Sequence, residues 1–170
     1  MADVADGGGF EPATGDGPAP TGGPAAAKAR AAEVRTAYEG LLAVRRIVAG
    51  GPSGTGATDP VDGEGPEAVP APWELRRMPR AVALVLEASG FAPSALDAAG
   101  GRAATGYRVR AAGDPERVEV SWVGPPGGGA AGEEEERLTA CARVLRSHGW
   151  ECLLYRGPRR RRFLEVEPRR

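Results

Sequence analysis

The feature that most constrains this chain is the alternation of apolar and polar side chains after residue 106. Tyr107, Val109 and Ala111 alternate with Arg108 and Arg110, and Val118, Val120 and Trp122 with Arg117, Glu119 and Ser121. Successive side chains of a strand point to opposite faces, so a period of two predicts a sheet buried on one side. Gly113-Asp114-Pro115 between the two runs is turn chemistry, which predicts a hairpin. A second hairpin closes the chain. Trp150, Cys152 and Leu154 share one of its faces, and Leu164 and Val166 return beside them.

Glycine and proline divide the rest. The 170 residues include 26 glycines and 16 prolines, concentrated in residues 1–24, 50–72 and 124–132. Residues 1–24 carry one aromatic, Phe10, too little apolar area to offset the entropy of ordering, and read as a disordered tail. Residues 50–72 read as a flexible linker. What remains is a compact domain over residues 73–168, a size that needs no disulfide or metal to hold its core.

Three helices are predicted. Residues 25–49 form an amphipathic helix with Pro24 before it and Gly50-Gly51 after it. Val34, Tyr38, Leu41, Val44 and Val48 make one stripe, widened by Leu42 and Ile47. Arg45 and Arg46 fall in its last turn, where positive charge suits the helix dipole. Pro79 opens a second helix that runs to Ser89, with Val82, Val85 and Leu86 inward, and Gly90 ends it. Residues 92–106 read as a small-residue loop with a short helical turn around Ser94–Ala99. The third helix spans Glu133–Ser147. Its four opening glutamates sit at the positive end of the dipole, and Leu138, Cys141, Ala142 and Leu145 form the core face.

The two halves of the domain resemble each other. Residues 85–91 (VLEASGF) match residues 144–150 (VLRSHGW), each an apolar helix end, a glycine cap and an aromatic. Downstream, Gly113-Asp114-Pro115 leading to Val118-Glu119-Val120 parallels Gly157-Pro158 leading to Leu164-Glu165-Val166. The fold class is therefore α+β, a helix–hairpin unit written twice as αββαββ. The hairpins join into a four-stranded antiparallel sheet with two helices on one face, because one unit alone would expose an apolar sheet face.

The same residues argue against several chemistries. The net charge of −1 supplies no global field toward nucleic acid or membrane. Residues 1–10 lack the pattern of a signal peptide, and no apolar run reaches the ~18 residues of a membrane span. Two cysteines do not make a disulfide framework, so a reducing cytoplasm is the expected location. His148, the single histidine, stands at a helix C-terminus, where dipole partnering is its ordinary role. Cys141, His148 and Cys152 match no zinc spacing, and both cysteines fall on core faces. Gly127-Gly128-Gly129 precedes a helix as a phosphate loop would, but the following glutamates would repel an anion. No nucleotide motif, cofactor or small-molecule substrate is indicated, and no enzymatic activity is expected. None of the RNA-recognition motif, the double-stranded-RNA domain, the ribbon-helix-helix repressor and the winged helix fits, because the element order or the signature residues are missing.

One surface carries a functional expectation. The final hairpin holds Arg156, Arg159, Arg160, Arg161 and Arg162, the densest positive charge in the chain. The sheet face opposite the core would carry Arg108, Arg110, Leu153, Tyr155 and Phe163. The main expectation is a non-catalytic protein that associates with itself or a partner protein. It would do so through the stripe Val34, Tyr38, Leu41, Val44 and Val48 and through this sheet face. The alternative is single-stranded nucleic acid, with Tyr155 and Phe163 stacking bases and the arginines holding phosphates. Two blander outcomes compete. The first helix could cover Leu153, Tyr155 and Phe163, or the arginine tip could pair with Glu133–Glu136 of a neighbouring subunit.

Overall fold

The computed structural model describes residues 9–50 and 65–169. The two alternating pairs form hairpins: β3 (Gly106–Ala111) with β4 (Val118–Val123), and β5 (Trp150–Arg156) with β6 (Arg162–Pro168). They join through β4 and β6 into one antiparallel sheet of order β3-β4-β6-β5. At the junction Val118 lies opposite Val166, Glu119 opposite Glu165 and Val120 opposite Leu164. These are the two triplets that the internal repeat aligns, so the units meet about a local twofold passing between Glu119 and Glu165. Carried outward through the strand registers, Tyr107 stands where Trp150 stands in its own unit, and Val109 where Cys152 stands. All four are buried.

The helices α3 (Met78–Ala88) and α4 (Ala130–Ser147) cover the apolar face of the sheet. Leu138, Cys141, Ala142 and Leu145 of α4 are buried, at the predicted spacing. The helix α3 buries not one stripe but every residue from Ala81 to Leu86. The reason is a third layer. The first helix, α1 (Gly23–Ala49), packs over α3 on the side away from the sheet.

That docking corrects the expected association stripe. Val34 and Leu41 are buried, and Tyr38 is half-buried, against the chain's own domain; only Val44, Ile47 and Val48 stay exposed. It also removes the idea that α1 covers Leu153, Tyr155 and Phe163, which lie on the opposite side of the sheet.

Two loop expectations change as well. Ser94–Ala99 is not a helical turn. Two short strands, β1 (Ala95–Leu96) and β2 (Arg102–Ala104), pair antiparallel there. The expected disordered tail is ordered from Gly9 onward as a strap. Phe10 packs on the core, Pro12 and Gly15 are buried, residues 14–16 lie along the outer edge of β3, and Gly17 C=O accepts from the Leu96 N–H. Residues 1–8 of that tail, and residues 51–64 of the expected linker, lie outside the described residues. The end of the linker is structured. Pro66–Ala68 forms a single 3₁₀ turn, Pro70 and Ala71 are buried, and a short helix α2 (Pro72–Arg76) follows. The compact unit therefore includes α1 and the strap, not residues 73–168 alone.

Candidate binding surface

The surface is built on the sheet, whose two edges are finished differently. At the β3 edge, the Tyr107 N–H donates to Ala92 C=O at 3.0 Å and the Val109 N–H to Thr14 C=O at 2.7 Å. The Ser94 N–H donates to Tyr107 C=O at 2.9 Å. A Cβ on Gly15 would fall 2.3 Å from the Tyr107 carbonyl oxygen, so only glycine lets the strap lie this close.

Asp16 fixes the strap by charge. Its carboxylate pairs with Arg102 and with Arg108, the latter at 3.0 Å. Burial pushes the Asp16 carboxyl up, but hydrogen bonds from Arg102 and Arg108 outweigh it and hold the group below its ordinary value. Of the predicted site residues on β3, Arg108 is therefore engaged by Asp16, which it shares with Arg102, and Arg110 by Glu119 at 3.4 Å.

The β5 edge is bare. Across the terminal hairpin the Gly157 N–H donates to Arg161 C=O at 2.7 Å, which sets the odd-numbered residues of β5 facing β6. The N–H and C=O groups of Cys152, Leu154 and Arg156 consequently point outward. Arg146 takes one of them, donating from Nη2 to the Cys152 carbonyl at 2.6 Å. No other described residue pairs with this edge. Around it Leu153, Leu154 and Tyr155 are 48%, 42% and 42% exposed. Tyr155 and Phe163 lie in register and stack on each other, with centroids 5.7 Å apart and planes 22° off parallel.

Beyond β5 the chain turns through Pro158–Arg160. Arg159 and Arg160 have φ of 58° and 59°, and the Arg161 N–H donates to Pro158 C=O at 3.3 Å. Two left-handed residues in succession are the backbone of a type I′ turn, normally filled by Asn-Gly. Side chains there cost roughly 1–2 kcal/mol per residue.

The α4 glutamates hold the base of this turn. Glu134, buried, accepts from Arg161 Nε at 2.8 Å and from the Arg162 backbone N–H. Arg161 also donates to Trp122 C=O at 3.0 Å, and Arg162 pairs with Glu135 at 2.7 Å. The expected pairing with a neighbour's glutamates is thus made inside the chain. Of the five tip arginines, Arg161 and Arg162 are anchors. Arg156, Arg159 and Arg160 stand exposed, with no acidic partner among the described residues.

The residues set aside as unreactive sit in structural roles. His148 Nδ1 donates to Val144 C=O at 2.7 Å, which leaves Nε2 to accept from the Tyr38 hydroxyl at 2.6 Å. Cys141 and Cys152 are buried, and burial pushes both thiols up to about 12. No described helix is long and apolar enough to cross a membrane.

The helical spacing of α1 did not reveal one buried pair. Arg45, read as a dipole partner, is fully buried and bidentate on Glu74, with Nε–Oε2 at 2.8 Å and Nη2–Oε1 at 2.6 Å. It also donates to the carbonyls of Glu67 and His148, and Glu74 accepts from the Ala71 N–H at 2.7 Å. A signal was available in the stripe itself. Arg45 lies four residues from Leu41 and eleven from Val34, on the face α1 buries. Comparison with protein-family models, curated proteins and solved structures finds no match for this chain.

Proposed function

We propose that this chain is a non-catalytic binding protein that docks a partner protein on β5 and the sheet face beside it. One observation carries the reading. In a sheet of two matching halves, the β3 edge is covered by residues 92–94 and by the strap at Thr14, while the equivalent β5 edge is open among the described residues and flanked by exposed Leu153, Leu154 and Tyr155. An exposed strand with apolar neighbours is a template for another chain, and proteins that do not use such an edge usually blunt it. Both ring nitrogens of His148 and both thiols are committed to structure, which agrees with a binding role.

Nucleic acid is the second reading, favoured by the free Arg156, Arg159 and Arg160. Two features of the surface weigh against it. Tyr155 and Phe163 stack on each other instead of standing apart to receive bases. Glu119, Glu165 and Glu167 share the outer face, and Arg117 is occupied by Glu165 at 3.1 Å and Glu167 at 3.3 Å. With three cations unpaired among the described residues, single-strand binding would fall with a log–log salt slope of about −2.

Site-specific photo-cross-linking in cells separates the readings. A cross-linking side chain at Leu153 or Tyr155 is expected to give a discrete protein adduct, and one at Arg143, on the exposed flank of α4, none. Nucleic-acid adducts at Tyr155, or equal yields at all three positions, would contradict the proposal.

A further inference from the structure

Resting on that docking surface, we propose that its occupant is an extended acidic segment of another protein, added to β5 as a fifth strand. Its apolar side chains would alternate along Leu153–Tyr155 and its carboxylates would lie beside Arg156, Arg159 and Arg160.

The fold contains its own template. About the twofold between Glu119 and Glu165, the position of Val109 is the position of Cys152. At Val109 an extended segment is already in place: Thr14 accepts the outward N–H, and Asp16, two residues on, answers Arg102 and Arg108. The β3 edge thus shows what this sheet accepts, an extended segment set on Val109 by a backbone hydrogen bond and locked by a carboxylate on arginine. The β5 edge offers the same backbone groups at Leu154 and Arg156, and three arginines without a carboxylate partner among the described residues.

The tip is built for display. Glu134 and Glu135 clamp Arg161 and Arg162, which fixes the turn. Arg159 and Arg160 then occupy left-handed positions that glycine or asparagine would fill at lower cost. Charge also argues against a second copy. Antiparallel pairing of β5 with itself about Leu154 would set Cys152, whose carbonyl holds Arg146, opposite Arg156 of the copy. Arginine would then face arginine at both ends, whereas an acidic strand meets opposite charge at each.

The test uses the full chain and three capped octapeptides: Glu-Glu-Glu-Val-Thr-Val-Thr-Val, its Gln-for-Glu form and its Lys-for-Glu form. Binding and amide hydrogen exchange are read together by NMR. The acidic peptide is expected to protect the Leu154 and Arg156 amides. It should bind about tenfold tighter than the neutral one at low salt, the sum of three exposed ion pairs. Arg159→Gln with Arg160→Gln should abolish most of that advantage.

An acidic peptide N-methylated at alternate residues, which cannot form the ladder, should lose binding without any change to the protein. Equal binding of the acidic and neutral peptides with Leu154 protected would overturn the charge preference and leave the docking surface standing. Binding without protection of Leu154 and Arg156, or unaffected by N-methylation, would overturn strand addition. Tighter binding of a dT decamer, or concentration-dependent protection of Leu154 with no peptide, would replace the acidic strand by nucleic acid or by a second copy. Failure of every peptide overturns the inference, and only failure together with the loss of cross-links at Tyr155 removes the docking surface too.

Discussion

At the residue scale, the informative position is Arg45. A lone guanidinium cannot be buried without large cost, yet this one is fully enclosed because every donor direction it uses has an acceptor. Its partners come from the turn at Pro66–Ala68, from α2 and from the C-terminal end of α4, so one side chain ties α1 to three separate segments. Arg45→Met leaves Glu74 buried and unpaired. It is expected to cost about 3–5 kcal/mol in urea denaturation, and the double variant with Glu74→Leu to recover a large part of it. If the single variant lost under about 1 kcal/mol, the pair would be solvated and α1 loosely docked. The sequence stripe located the buried face of α1 but not this pair. Periodicity reports which way a side chain points, not which distant carboxylate meets it.

At the scale of elements, strands and helices were legible because their signals are local: alternation in β3–β6, and three- and four-residue spacing in α3 and α4. The strap was not. Its residues are polar and small, and what orders them is the β3 edge, whose open hydrogen bonds appear only once the sheet is assembled. The strap also carries a pH signature. Hydrogen bonds from Arg102 and Arg108 outweigh burial and hold the Asp16 carboxyl below its ordinary value in the folded chain. A depressed folded value contributes stability above the unfolded one and loses it as pH falls through the folded one. The strap should therefore hold from pH 7 down to the ordinary carboxylate range and release below it, read as falling protection of the Val109 amide. Asp16→Asn should weaken the strap at neutral pH and remove the dependence.

The tip turn makes a second prediction at this scale. Replacing its residues by Arg159→Asn and Arg160→Gly supplies the side chains a type I′ turn prefers. It should raise stability by about 1–2 kcal/mol while weakening the acidic peptide. Unchanged stability would mean the left-handed turn carries no strain. The arginine run was visible in the sequence, but its division into two anchors and three free cations was not, because it depends on where Glu134 and Glu135 of α4 fall.

At the scale of the whole molecule, the pairing of two helix–hairpin units explains most of the architecture, and the differences between the units explain the surface. Two helix–hairpin units meet through β4 and β6, and each leaves its first strand at an edge. One unit gained β1, β2 and the strap, and its edge is sealed. The other ends in the arginine turn, and its edge is open. This asymmetry is tested most directly by amide hydrogen exchange on the free full-length protein at two concentrations. Strong protection is expected at Tyr107 and Val109 and rapid exchange at Leu154 and Arg156, independent of concentration. Slow exchange at Leu154 and Arg156, or fast exchange at Tyr107 and Val109, would contradict it.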